Sequence, residues 1–356
     1  MTDSQSQNTS AVITGANGFF GAALAKALLE RGGRVRALVR REDAAAEMRS
    51  LGAEPVLGDL TEPGGCDGLV AEGDVVFHAA ARVDMNGRWE EFRRTTIEGT
   101  RHLLAAALPK RPRRFVYISS GAVYGASGDP SGVCADRTPA RPAAYEYYGR
   151  AKAESERLVR SECERTDCPW TILRLGFLYG AGNRALLRHF IPLAKSRRLR
   201  IIGNGENRIA GLYIGDAVQA TALAGWHPIA VNKVYDVASD ELITQREFIN
   251  TTTDALDLPR AGRHIGRRVA FACAWLVETL SNLSGRQAHV SRSAVALMSA
   301  DQAMDAGRIR AELGWRPEVS FREGMRRTQE WHRRISEEGK VGEAEGLPAP
   351  ASHPLP

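Results

Sequence analysis

Tyr148 and Lys152 stand four residues apart in the run Tyr148-Gly149-Arg150-Ala151-Lys152, the spacing at which two side chains share one face of a helix. A free phenol titrates near about 10, too high to exchange protons at neutral pH, and a fixed neighbouring cation lowers that value. The pair therefore has the chemistry of a general acid/base acting on an alcohol or a carbonyl. Three tyrosines crowd this turn, but Tyr145 meets Gly149 four residues on and Tyr147 meets Ala151, so Tyr148 alone finds the lysine. Taken alone, the pattern is equally that of an exposed helix pair. Upstream, residues 114–119 (RFVYIS) read as a strand that delivers Ser120 at its carboxyl end, the edge where open α/β sheets collect ligands.

These side chains need elements to position them. Residues 11–14 (AVIT) are a short apolar run of buried-strand type. Gly15, Gly18 and Gly21 follow, and Ala23, Leu24, Ala27 and Leu28 then recur at helical spacing. A helix N-terminus facing such a loop attracts phosphate through its free amides and its dipole. The spacing is GxxGxxG, with Asn17 between the first two glycines, where the dinucleotide fingerprint is GxGxxG. The stretch predicts a dinucleotide cradle built from Gly15, Asn17, Gly18, Phe19, Phe20 and Gly21. A strand-to-helix turn without a ligand is the plainer alternative.

A second strand, residues 34–39 (RVRALV), ends at Arg40 and Arg41, where a Rossmann fold meets the adenosine ribose. Arginine there accommodates the 2′-phosphate of NADP(H), so Arg40 favours that cofactor; Glu42 or Asp43 would serve NAD(H) if the strand ended later. A third strand at 54–57 leads to Asp59, placed to accept from an adenine amino group, and to Leu60, placed to pack on the ring. A fourth, at 74–77, ends in His78-Ala79-Ala80-Ala81. Small Ala79 and Ala80 let backbone approach the cofactor, and His78, with no partner at ligand spacing, reads as a packing residue rather than a metal ligand. No metal is expected.

At 356 residues and 43% hydrophobic, the chain can build one large α/β domain with a smaller appended region. The net charge of +6 is modest, and the densest basic cluster, residues 110–114 (KRPRR), reads as a solvated turn rather than a nucleic-acid patch. Five scattered cysteines without CxxC fit a reducing compartment. The polar start MTDSQSQNTS lacks the apolar core of a signal peptide, and the expected location is cytoplasmic. The nine residues 269–277 carry no charge and are flanked by basic residues, far short of a membrane span. Two readings stand for 267–283: a helix packed over the substrate cleft, or an interfacial helix that contacts a membrane and admits apolar substrates.

In chain order, TGANGFFG, Gly58-Asp59-Leu60, HAAA, SSGAVYG and YYGRAK resemble the extended short-chain dehydrogenase/reductase family, over about residues 11–331. The resemblance implies an α/β Rossmann fold, a doubly wound parallel sheet with a smaller C-terminal substrate region, and a nicotinamide cofactor. It implies Tyr148 as the proton-transfer residue, Lys152 on the nicotinamide ribose and Ser120 polarising the substrate oxygen. Arg174 followed by LGFLYG is similar to the family's LRPGxxYG segment, where Leu175 replaces the usual proline and Leu175 and Phe177 are expected beside the nicotinamide. Thr96, in TIEGT, stands where NVxGT members carry asparagine. Gly121 and Ala122 occupy the positions of the Asp-Glu pair that drives elimination in the dehydratases, which argues against dehydratase chemistry.

Residues 203–220 (GNGENRIAGLYIGDAVQA) are similar to a segment of 3β-hydroxysteroid dehydrogenase-like members, with Arg208, and more weakly Arg184, as substrate candidates and Asp216 as a helix cap. The expected division is a disordered start (1–10), a cofactor domain (11–180, with 213–237 returning to it), a substrate region (181–335) and a disordered tail (336–356). The expected activity is interconversion of a secondary alcohol and a ketone on a hydrophobic small molecule, with NADP(H) favoured and NAD(H) open. A nucleotide-sugar 4-epimerase that retains its cofactor and a non-enzymatic cofactor sensor are the rivals. Family members often dimerise through the helices spanning 89–108 and 148–160, so a homodimer is expected, with no nucleic-acid partner.

Overall fold

Short apolar strands separated by helices of 3.6-residue period leave one solution, a parallel sheet covered on both faces. A computed structural model describes residues 9–83, 85–126, 132–284, 288 and 290–344. Its central sheet has seven strands, all parallel: β1 (Ser10–Thr14), β2 (Arg34–Val39), β3 (Glu54–Leu57), β4 (Val75–His78), β5 (Arg114–Ser120), β6 (Trp170–Leu175) and a late strand, Lys233–Val237. From one edge the order is β3, β2, β1, β4, β5, β6 and the late strand. This is the doubly wound Rossmann arrangement extended by one strand, with its reversal of direction between β1 and β4.

The strands are apolar on both faces because helices cover both. On one side α1 (Phe19–Glu30), α2 (Glu42–Ser50) and the helix Ile214–Trp226 bury Leu24, Met48 and Ala217 with Ile13 and Phe77. On the other, Leu103 and Leu104, Val159 and Cys163 pack against Val12, Tyr117 and Ile172. Residues 89–108, expected as one helix, are three pieces: α3 (Trp89–Phe92), a π-helical turn (Arg93–Glu98) and α4 (Gly99–Ala107). The π turn widens the backbone around Thr96, whose carbonyl accepts from both the Thr100 and Ser155 hydroxyls, at 2.6 and 3.2 Å. The catalytic-candidate helix, α5, spans Tyr147–Arg165, so Tyr148 lies in its first turn.

Beyond β6 come Phe177–Tyr179 (β7) and α6 (Arg184–Lys195), then the short strands Ile201–Ile202 (β8), Arg208–Ile209 (β9) and Gly211–Tyr213 (β10). Ile214–Trp226 is α7 and Lys233–Val237 is β11, and the two rejoin the central sheet. Ile243–Thr244 (β12), α8 (Gln245–Ala255), His264–Ile265 (β13), α9 (Arg267–Ser284), α10 (Arg292–Ser299), α11 (Gly307–Leu313) and α12 (Phe321–Ala344) complete the chain.

Several local expectations are corrected. Of the segments expected to be disordered, 1–8 and 345–356 lie outside the described residues, whereas Ser10 opens β1 and α12 runs helical to Ala344. Arg114 is not solvated: it is buried, and its guanidinium donates to the Ala224 and His227 carbonyls at 2.7 and 2.8 Å. Asp216 does not cap its own helix. It accepts from the Glu318 and Val319 amides and so fastens the approach to α12 onto α7. The five cysteines are free, and no described helix is long and apolar enough to cross a membrane.

Candidate active site

The phosphate-seeking end of the fold lies at the carboxyl edge of β1. Gly15 has φ +69°, a left-handed conformation that only glycine adopts without strain, and a Cβ there would sit 2.9 Å from the Ala80 backbone. A Cβ on Gly21 would lie 2.1 Å from the Gly15 carbonyl oxygen, so the loop and helix can close only without side chains. Gly18 is the N-cap of α1, no side chain caps that end, and no acidic residue occupies the first turn. The amides of that turn are thus left for an anion from outside, and the loop fits a dinucleotide pyrophosphate.

The wall facing the glycine loop is set by a buried relay. Thr100 donates to the Thr96 carbonyl, so toward His78 it can only accept, which places the proton on His78 Nε2 (2.9 Å). His78 Nδ1 then accepts from Thr14 Oγ1 at 2.7 Å, and Thr14 in turn accepts from the Ala80 amide at 3.2 Å. Burial, with the nearby Lys152 charge, pushes the imidazole down to about 3, so it stays neutral and ties β4 to β1 behind Ala79 and Ala80. No group of metal-ligating side chains occurs among the described residues.

At the adenosine end, Arg40 is exposed just past β2 and carries no ion pair among the described residues. Arg41 donates to both Asp43 oxygens at 3.0 and 2.9 Å, and Arg49 pairs with Glu42 at 2.6 Å. Both acids that would have served a ribose diol are therefore engaged by arginines. Asp59 accepts from the Thr61 amide and hydroxyl through Oδ1, and Leu60 is buried under the helix that starts at Gly99.

The acid/base candidates converge where β5 ends. Ser120 leaves the strand with extended backbone, its Oγ accepting from the Ala122 amide at 3.2 Å. Gly149 lets α5 press against that exit, since a Cβ there would come within 2.3 Å of the Ala122 carbonyl. That approach brings Tyr148 within hydrogen-bonding reach of Ser120. Tyr148 is half-buried against Phe92, Ile97 and Ala151. Burial holds its phenol above the ordinary value while the Ser120 hydrogen bond pulls it back.

One turn on, Lys152 is buried, donates to the Ile118 carbonyl at 2.6 Å, and lies over the Tyr117 ring at 4.9 Å. Desolvation brings its ammonium down to about 7, with Glu156 opposing the shift. Sequence reading missed Glu156, although it sits four residues past Lys152 on the same helical face. Its carboxylate takes the Ser119 hydroxyl at 2.6 Å and Arg174 in a fork at 2.9 and 2.7 Å. Arg174 also donates to the Tyr124 hydroxyl at 2.9 Å, and Tyr124 donates to Asp236 at 2.6 Å. This buried network pins β5, β6 and β11 directly behind Ser120 and Lys152.

The substrate candidates part company. Arg208 is engaged by Asp301, its Nε and Nη2 reaching the carboxylate at 2.8 and 2.7 Å, so it binds β9 to the segment after α10. Arg184 is exposed at the start of α6. Leu175 is buried at the end of β6, and Phe177 sets its ring edge-on to Phe248 at 5.3 Å. On the other side of the mouth, Tyr145 meets Phe271 of α9 edge-on at 5.4 Å, with the Arg292 guanidinium over its ring at 5.4 Å.

Residues 11–238 match the family model described as "NAD dependent epimerase/dehydratase family", and the chain belongs to that family, within the extended short-chain dehydrogenase/reductases. It is an enzyme of the dehydrogenase/reductase class. The chain is 30% identical to 4-hydroxy-2-methyl-3-oxo-4-farnesyl-3,4-dihydroquinoline-1-oxide ketoreductase from Stigmatella aurantiaca, over 88% of this chain and 93% of the relative. It is 28% identical to 2-alkyl-3-oxoalkanoate reductase from Stenotrophomonas maltophilia, over 89% and 97%. Its fold is that of UDP-glucuronic acid 4-epimerase from Bacillus cereus solved with NAD, at a TM-score of 0.69 and 19% identity over 92% of this chain and 99% of that one.

Proposed function

We propose that this protein interconverts a ketone and a secondary alcohol on a hydrophobic small molecule, with NADP(H) as the favoured cofactor, in a cytoplasmic setting. The observation that carries the reading is one helical face presenting Tyr148 and the desolvated Lys152 beside Ser120, at the strand edge next to the glycine loop. Gly15 to Gly21 would hold the pyrophosphate, Asp59 and Leu60 the adenine, and Lys152 the ribose next to the nicotinamide. When bound, the nicotinamide gives or takes the hydride.

In the reducing direction Ser120 and Tyr148 grip the carbonyl oxygen, and Tyr148 passes its phenolic proton to that oxygen as the alcohol forms. A phenol held high by burial keeps its proton until charge develops on the substrate oxygen. Lys152 would donate to the ribose hydroxyls of the bound cofactor and, in its charged form, would lower the phenol for the reverse reaction. For the adenosine end, the engagement of Glu42 and Asp43 by arginines, with Arg40 unpaired among the described residues, supports the 2′-phosphate of NADP(H).

Both named relatives are reductases whose names describe ketones on apolar frames, which supports a hydrophobic substrate here. Gly121 stands at the position of the dehydratase acid, and a Cβ there would sit 2.6 Å from Met304 Sδ, so any side chain at that position would have to displace the methionine. The test is oxidation of NADPH and NADH by the purified protein with 2-alkyl-3-oxoalkanoates and with UDP-glucose. Turnover of the keto acid that disappears in Tyr148→Phe supports the reading. NAD that stays bound through purification, with equilibration of the UDP-sugar and no net cofactor oxidation, would replace it with the epimerase.

A further inference from the structure

Helix α9 is apolar on two opposite faces. Its inner face, Ala270, Phe271 and Ala274, packs toward Val295 of α10 and Tyr145 at the mouth of the site. Its outer face has no partner among the described residues. Val269 (57% exposed), Trp275 (52%), Leu276 (51%), Leu280 (56%) and Leu283 (81%) all stand open to solvent. A helix that only roofed a cleft would be polar on that side, as amphipathic surface helices are.

The charge around this face is one-sided. Residues 258–300 contain six arginines and a single acid, Glu278, and of these arginines Arg260 is taken by Asp254 just before the segment. Glu278 is already engaged, accepting from the Arg292 amide and guanidinium at 2.7 and 2.5 Å. Arg263, Arg267 and Arg268 are exposed and have no carboxylate partner among the described residues. Two of them occupy the first turn of α9, against the helix dipole, with no acid in that turn to offset them. A second copy of this chain laid on the same face would bring no carboxylate to these guanidiniums, whereas anionic lipid headgroups would. Apolar residues with an interfacial tryptophan and a basic collar are the composition of a helix that lies in a headgroup layer.

We infer that the outer face of α9 docks on an anionic lipid surface, so that the mouth beside Tyr145 opens to apolar substrate dissolved in that layer. The inference rests on the proposed reduction of a hydrophobic ketone at Tyr148, and it deepens that reading by naming where the substrate is taken from. The edge-on contact of Tyr145 with Phe271 makes α9 the element between lipid and site.

The test uses the full chain with sucrose-loaded vesicles of phosphatidylcholine alone and of phosphatidylcholine with 30% phosphatidylglycerol, a composition set on the order of that of anionic leaflets. Cosedimentation is expected with the anionic vesicles only, falling at least tenfold in Leu276→Asp/Leu280→Asp and in Arg267→Glu/Arg268→Glu. Turnover of a short, water-soluble 3-oxoalkanoate should stay within twofold of the parent in both variants, while turnover of a long-chain ketone presented in the anionic vesicles falls with binding. Equal cosedimentation with both vesicle types, none with either, or a parent dimer that becomes monomeric in the leucine variant would overturn the inference. Loss of the soluble-ketone activity in the unmodified protein would instead remove the proposed reaction and leave vesicle binding to be judged separately.

Discussion

The carboxyl edge of the central sheet and the α9–α10 pair, which meets Tyr145 through Phe271 and Arg292, are built on opposite principles. Behind Ser120 and Lys152, buried ionisable side chains are held by partners: Glu156 by Arg174 and Ser119, Asp236 by Tyr124, His78 by Thr14 and Thr100. In α9 the order is reversed, with apolar side chains in solvent and Arg267 and Arg268 without a carboxylate partner among the described residues. Buried charge is tolerated only where geometry satisfies it, so the first region is stiff and unforgiving of substitution. The second gains nothing from burial and can change its outer residues freely.

Ordered by size, the expected effects sharpen that contrast. Tyr148→Phe should lower kcat by about a thousandfold or more while NADPH affinity, read by fluorescence titration, stays within about threefold. Glu156→Ala strands the Arg174 guanidinium in the interior and should cost about 3–5 kcal/mol in urea unfolding; a loss under 1 kcal/mol would show that this network is not stiff at all.

Lys152→Met should abolish activity yet stabilise the cofactor-free protein at neutral pH by about 2 kcal/mol, because burial disfavours the ammonium. The folded chain holds Lys152 near 7 and the unfolded chain near about 10.5, so between those values the unfolded state binds the extra proton. Stability of the parent should therefore rise with pH across that window, and the rise should be missing in Lys152→Met. Arg40→Ala should weaken NADPH about tenfold and leave NADH unchanged, and equal losses for both would return Arg40 to solvent. Leu276→Asp should move stability by no more than about 0.5 kcal/mol, in keeping with a side chain that touches little.

Short-range pattern in the sequence already determined much of this protein. The glycine spacing at Gly15, Gly18 and Gly21, the strand ending at Ser120 and the helical offset of Tyr148 and Lys152 are local features, and the Rossmann sheet that they require is the sheet observed. Glu156 was legible too, by the same four-residue offset, once the rule had been carried one turn further. What only the tertiary structure decided is which distant partner each polar group takes. Arg208 goes to Asp301 rather than to a substrate, Asp216 goes to Glu318 and Val319, and Arg114 goes to carbonyls more than a hundred residues away. Periodicity records which face of an element turns inward. The partner waiting there depends on close packing between segments far apart in the chain, and no local spacing encodes it.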